Sequence, residues 1–286
     1  MRIRQGLYVT SERWAALDRW DRYRMRVLAV HLAAHRPPVF CHETAALVHG
    51  LPLVTVPSHV HVQQIADGSA HSRGGVRRHC SSLAAPPVTQ ISGLQVTSLE
   101  STIVALAVGS GFPAGVLALD DALRRGMTNL RQVSELAQMT RTAAAQKRIT
   151  AVLDFSCGDA ESPGESLSRV QMMVMGFPVP ELQHVFSDAR GLIGRVDFYW
   201  PQARLVGEFD GLVKYSKPEY LNGRTPSEVV IEEKRREDRL RALGLRVVRW
   251  TWDDLRDPAL LRDLLTSAGL VPGRPVIPGR VLRARV

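Results

Sequence analysis

The chain has 286 residues, 45% of them hydrophobic, which makes room for two packed domains and excludes a disordered chain. A formal charge of +9 favours polyanionic partners, nucleic acid or an anionic surface, and carries no information on fold. Three scattered cysteines (Cys41, Cys80, Cys157) exclude a disulfide framework, and no apolar run approaches the ~20 residues of a membrane span.

In chain order, the N-terminus Met1-Arg2-Ile3-Arg4 lacks the apolar core of a signal peptide, so the expected location is cytoplasmic, with no membrane association. Thr10 or Ser11 can cap a helix in which Met25, Leu28, Ala29 and Leu32 recur at helical spacing. A helix over 42–48 stops at Gly50, a natural terminator. His59-Val60-His61-Val62 alternates as a strand, and 94–96 reads as another. Helical patterns follow over 99–108, 113–125 and 129–153. The histidines at 42, 49, 59, 61, 71 and 79, with Cys41 and Cys80, raise the question of zinc. Their spacing matches none of the usual ligand patterns, so ordinary core and surface histidines are the stronger reading.

Composition shifts at 156–164, which places a domain boundary there: a helix and strand domain over 1–155, then a second domain over 156–270. The remainder, 271–286, carries Arg274, Arg280, Arg283 and Arg285 with no acid. It reads as a solvated basic tail, with contact to a phosphate backbone as the alternative.

The second domain opens with Ser162-Pro163-Gly164-Glu165, in which serine caps a helix over 166–175 and glutamate sits at the third position. Glu165 therefore either caps its own helix or reaches a neighbouring site as an extra acid. Two β-rich runs, 195–200 and 205–211, flank a proline-containing turn and predict a hairpin. With Trp200 facing Leu205, Phe198 falls opposite Gly207 and Val196 opposite Phe209, an apolar face. The same register sets Asp197 opposite Glu208 and Arg195 opposite Asp210. Directly opposed carboxylates ~5 Å apart repel unless a cation lies between them. Mg²⁺ or Mn²⁺ on Asp197 and Glu208, with Asp210 as a further ligand, resolves that repulsion and can activate water at a phosphodiester. The alternative is a solvated strand face on which Arg195 pairs with Asp210.

Thr225-Pro226-Ser227-Glu228 opens another capped helix that ends at Gly244. Its charges are mostly a solvated, ion-paired surface, while Lys234 and Arg235 or Arg236 can face phosphate or the hairpin. A strand over 245–250 carries Val247 and Arg249 on one face, with Arg249 a further candidate nucleic-acid contact, and a helix over 252–265 follows. Helix, hairpin, helix, strand and helix define an α/β core.

The motifs Ser162-Pro163-x-Glu165, Val196-Asp197-Phe198, Glu208-Phe209-Asp210-Gly211 and Glu233-Lys234-x-Arg236-Glu237-Asp238, ending in Leu245-Arg246-Val247-Val248-Arg249, resemble a bacterial family related to the very-short-patch-repair endonucleases of the PD-(D/E)XK superfamily. That resemblance spans 162–255. It implies a restriction-endonuclease-like core, hydrolysis of DNA, a helix acid at Glu165 and metal-binding acids at Asp197 and Glu208. The superfamily pattern has lysine two residues after the second acid; here Asp210 stands there, and Lys214 or Lys234 would have to replace it. Without that lysine the resemblance implies slow hydrolysis, or nucleic-acid binding without cleavage.

In the first half, Arg4-Gln5-Gly6-Leu7-Tyr8-Val9, Cys41-His42-Glu43-Thr44-Ala45-Ala46-Leu47-Val48-His49-Gly50-Leu51-Pro52, Val96-Thr97-Ser98 and Leu117-Ala118-Leu119-Asp120-Asp121-Ala122-Leu123 resemble the AbiEi family of antitoxins and transcriptional regulators. The likeness implies regulation of DNA or a toxin partner, with the family's winged helix largely missing.

Overall fold

The computed structural model describes residues 1–64, 74–211, 225–276 and 278. The chain is α/β and divides into two compact units, Met1–Gly158 and Asp159–Val286. No described helix is long and apolar enough to cross a membrane.

The first unit begins with a small hairpin, β1 (Arg2–Arg4) and β2 (Leu7–Tyr8). Thr10 caps α1 (Ser11–Ala16), and Asp18 caps a separate α2 (Arg19–Leu32), so the single helix expected here is two. The buried stripe of α2 also differs from the expected one. Tyr23, Val27 and Val30 face the core and Ala29 of the expected set is buried with them, while Leu28 and Leu32 are exposed. Next come β3 (Val39–Phe40), α3 (His42–His49), β4 (Val60–Gln63), β5 (Val76–His79), β6 (Val88–Ile91) and β7 (Leu94–Thr97). The five strands form one mixed sheet in the order β5-β4-β3-β7-β6. Its core joins Tyr23, Val27 and Val30 to Phe40, Val60, Val62 and Val96.

Helix α4 (Leu99–Ala105) runs into a π turn over Leu106–Ser110, followed by α5 (Phe112–Arg124), α6 (Leu130–Ala137) and α7 (Ala143–Phe155). The expected helix over 129–153 is broken because Thr142 caps a new start, its side chain accepting from the Ala145 amide at 3.1 Å. Gly115 lets α5 approach closely: a Cβ there would lie 2.9 Å from Ala107 and Val152.

The second unit is a four-stranded sheet between helices. Ser162 caps α8 (Pro163–Met175), as its sequence dictates. Then β8 (Glu181–Asp188), β9 (Gly191–Trp200) and β10 (Leu205–Asp210) form an antiparallel meander. Helix α9 (Pro226–Ala242) crosses over to β11 (Arg246–Thr251), which runs parallel to β10. The sheet order is β11-β10-β9-β8. The last helical stretch is two helices, α10 (Trp252–Arg256) and α11 (Pro258–Ser267), because Asp257-Pro258 starts a new one.

One sheet face holds Phe198, Trp200 and Trp250 beneath α8, where Trp250 Nε1 donates to Ser168 Oγ at 2.8 Å. Each large ring buried there contributes roughly 1.5–3 kcal/mol. Gly207 makes room for it, since a Cβ would sit 2.6 Å from the Trp250 ring. The opposite face packs Val196 and Val206 against Leu240 of α9 and Leu245. Beyond α11, the main chain returns to the end of α8: Gly273 N–H donates to Gly176 O at 2.8 Å and Val276 N–H to Val174 O at 3.1 Å.

Candidate functional site

The β9–β10 ladder pairs Trp200 with Leu205, Tyr199 with Val206 and Phe198 with Gly207, the register expected of the hairpin. The ladder ends at that pair, one step before Asp197 and Glu208. Regular alternation also breaks here. Val196 packs with Val206 and Leu240 instead of continuing the Phe198 face, and on the other edge the β8–β9 pairing skips Gln183 and Asp197. Gln183 takes a left-handed φ of +52°, costly for a residue with a side chain. So the strands part at Asp197.

The parting positions the acids. Asp197 Oδ2 accepts the Phe209 amide at 2.8 Å, on the peptide that follows Glu208. Glu165 is buried; its Oε1 accepts from Ser162 Oγ at 2.7 Å, and its Oε2 accepts from the Glu161 amide at 2.8 Å and Gln183 Nε2 at 2.9 Å. It thus completes its own helix cap and also reaches β8. Gly164 allows this turn of α8 to lie directly on Phe209: a Cβ would come within 2.0 Å of the ring.

Glu208 is only 7% exposed and sits between two cations. Arg236 of α9 approaches Oε1 at 2.7 Å, and Arg249 of β11 approaches Oε2 at 3.0 Å. The Oε1 contact is an ion pair off the N–H line, and this oxygen has no aligned hydrogen bond. Arg249 also reaches Asp210 at 3.3 Å, Glu237 at 3.3 Å and Glu233, while Arg236 reaches Glu233 at 3.0 Å. Burial works against ionising Glu233, but the hydrogen bond from Arg249 and the charge of Arg236 outweigh it and hold its carboxyl below the usual range. Burial likewise opposes charge on Arg249 and Arg236, yet the carboxylates around them push both further up.

Asp210 therefore pairs with Arg249, while Arg195 pairs with Glu161. Arg236 and Arg249, two of the candidate phosphate contacts, are committed to internal acids. Lys234 and Arg235 are exposed on α9, with no ion pair among the described residues. Lys214 lies outside the described residues. Asp197 and Glu208 are the acids that could hold a hard divalent cation, and both oxygens of Glu208 already face guanidiniums. Among the described residues no three or more His, Cys, Asp or Glu form a ready metal cage.

The first unit holds a constellation that sequence spacing did not reveal. His79 Nε2 lies 2.9 Å from His61 Nδ1, which lies 3.0 Å from Glu43 Oε2, and Ser110 Oγ donates to Glu43 Oε1 at 2.6 Å. The His42 ring stacks on His79 with centroids 3.8 Å apart, its backbone at φ +49°. Gly109 leaves the space, because a Cβ there would meet His42 Nε2 at 2.8 Å. Burial, then the neighbouring His79, lowers His42 to a pKa of about 3. Burial and His61 lower His79 to about 4. Parallel pairing of β4 with β5, which sets Gln63 beside His79, brings these side chains together. His49 Nε2 donates to Thr97 O at 2.8 Å, His59 Nδ1 shares a hydrogen bond with Ser58 Oγ at 2.8 Å, and His71 lies outside the described residues.

Two Mycobacterium tuberculosis proteins are similar along most of the chain: the uncharacterized proteins MT2308, from strain CDC 1551 / Oshkosh, and Rv2248, from strain ATCC 25618 / H37Rv. Each is 28% identical over 267 residues, covering 90% of this chain and 87% of the relative. No family model and no solved structure matches the chain.

Proposed function

We propose that the second unit is a metal-dependent endonuclease-like domain acting on DNA phosphodiesters. The observation that carries this reading is the divergence of β9 from β10 at Asp197, which ties that carboxylate to the peptide following Glu208. Asp197 and Glu208 would hold Mg²⁺ or Mn²⁺. Such an ion, when bound, supplies an activated water and stabilises charge on the phosphoryl group. Glu165, held by Gln183, assists from the start of α8, and Asp210 lies one residue beyond Phe209. Lys214 or Lys234 would meet the charge that develops on phosphate, and Arg235 would position the backbone.

A second reading draws on the two guanidiniums already on Glu208. With its charge compensated internally, the domain would bind nucleic acid without cutting it, and the whole chain would act as a regulator. The resemblance of the first half adds a protein toxin as a candidate partner.

The deciding experiment is calorimetric titration of Mn²⁺ into wild type and Asp197→Ala, with a supercoiled-plasmid nicking assay on the same samples. The nuclease reading expects Mn²⁺ binding and nicking in wild type, both lost in Asp197→Ala and Glu208→Ala. Salt-sensitive DNA binding without nicking would transfer the case to the regulator.

A further inference from the structure

The first unit carries a cleft of about 690 Å³ at the C-terminal end of α2, bordered by β3, β4 and β5. This falls within the ~300–1,000 Å³ typical of small-molecule sites. Its described lining includes Arg4, His35, Arg36 and Arg78 and no acidic residue. Arg36 and His35 are exposed, and Arg4 donates to Gly74 O at 3.3 Å. Neither Arg4 nor Arg36 has a carboxylate partner among the described residues. Arg236, Arg239 and Arg249 of the second unit, by comparison, are each matched by acids.

The floor is of opposite character. Val62 and Val76 are buried, and Val39 lies beside them, with the Gln63 amide at the margin. Three guanidiniums around one concavity suit a group with several oxygens and two negative charges, which favours a phosphate monoester over a single carboxylate. An apolar floor suits a flat organic body attached to that group.

We infer that this cleft binds a small organic phosphate of nucleotide size, its phosphate on Arg4, Arg36 and Arg78 and its organic body on Val39, Val62 and Val76. The inference is independent of the nuclease reading, which concerns the other unit.

The test is calorimetric titration of AMP, inorganic phosphate and a short single-stranded oligonucleotide into the full chain, at low salt with EDTA present. AMP should bind more tightly than inorganic phosphate. Arg36→Ala, at an exposed position, should weaken AMP by about tenfold or more, with Arg36→Lys intermediate. Absence of AMP binding, equal affinity for inorganic phosphate, binding of the oligonucleotide alone, or insensitivity to both Arg36→Ala and Arg78→Ala would each overturn the inference. Chelation of divalent ions keeps its failure separate from any failure of metal-dependent cleavage.

Discussion

Asp197 accepts the main-chain N–H of Phe209, so one carboxylate both satisfies a strand amide that β9 no longer pairs and stands beside Glu208. The two roles separate by substitution. Asp197→Asn keeps an acceptor for the amide and removes the charge. It should unfold in urea close to wild type while losing Mn²⁺ affinity in calorimetry. Asp197→Ala should lose both, with about 1–3 kcal/mol of stability gone for the orphaned amide. Equal stability of the two variants would show that the bond to Phe209 contributes nothing.

Glu208 lies under two guanidiniums, and its removal takes from Arg236 and Arg249 their one buried counter-charge and leaves them sharing Glu233. Glu208→Ala should therefore cost about 3 kcal/mol in chemical denaturation. Adding Arg236→Met should return part of that loss, because Glu233 then serves Arg249 alone. A double variant less stable than the single one would contradict this account.

Gly164 is set by the ring below it. Gly164→Ala should destabilise the second unit by about 1–3 kcal/mol through overpacking, visible as a lower midpoint in urea. Phe209→Leu combined with it should recover stability relative to Gly164→Ala alone. Additive losses would mean that the contact with Phe209 is not the constraint.

The buried histidines give the first unit an acid limit. His42 and His79 are held at pKa values of about 3 and about 4, below the ordinary 6.5 they regain on unfolding. The unfolded chain then binds more protons as pH falls, so their contribution is intact above about 6.5 and declines toward pH 4 and below. Glu43, lowered to about 2 by hydrogen bonds from His61 and Ser110 that overcome its burial, stays ionised through that window. Thermal midpoints measured from pH 7 to pH 4 should fall, and His79→Phe should flatten the curve. An unchanged slope in that variant would remove His79 from the explanation.

The hairpin register was legible because Pro201–Ala203 marks the turn and the flanking runs alternate cleanly up to Phe198 and Gly207. Periodicity cannot see where a ladder stops, so the break at Asp197 and the turning of Val196 to the other face were not. Strand β8 was missed for a related reason: Glu181, Gln183, His184 and Ser187 dilute its apolar pattern, as suits a half-exposed edge. The meeting of Arg236 and Arg249 on Glu208 depends on α9 and β11 packing against the same strand. The histidine cluster likewise depends on β5 lying beside β4. Local spacing encodes neither.

The segment after α11 has a consequence for how far this protein can be trimmed. Gly273 and Val276 donate to the carbonyls of Gly176 and Val174, and a side chain on Gly176 would strike the Arg274 carbonyl at 2.6 Å. What reads as the root of a basic tail is a splint on the helix whose opposite end carries Glu165. A deletion ending at residue 270 would uncap that splint; one ending after Val276 would spare it.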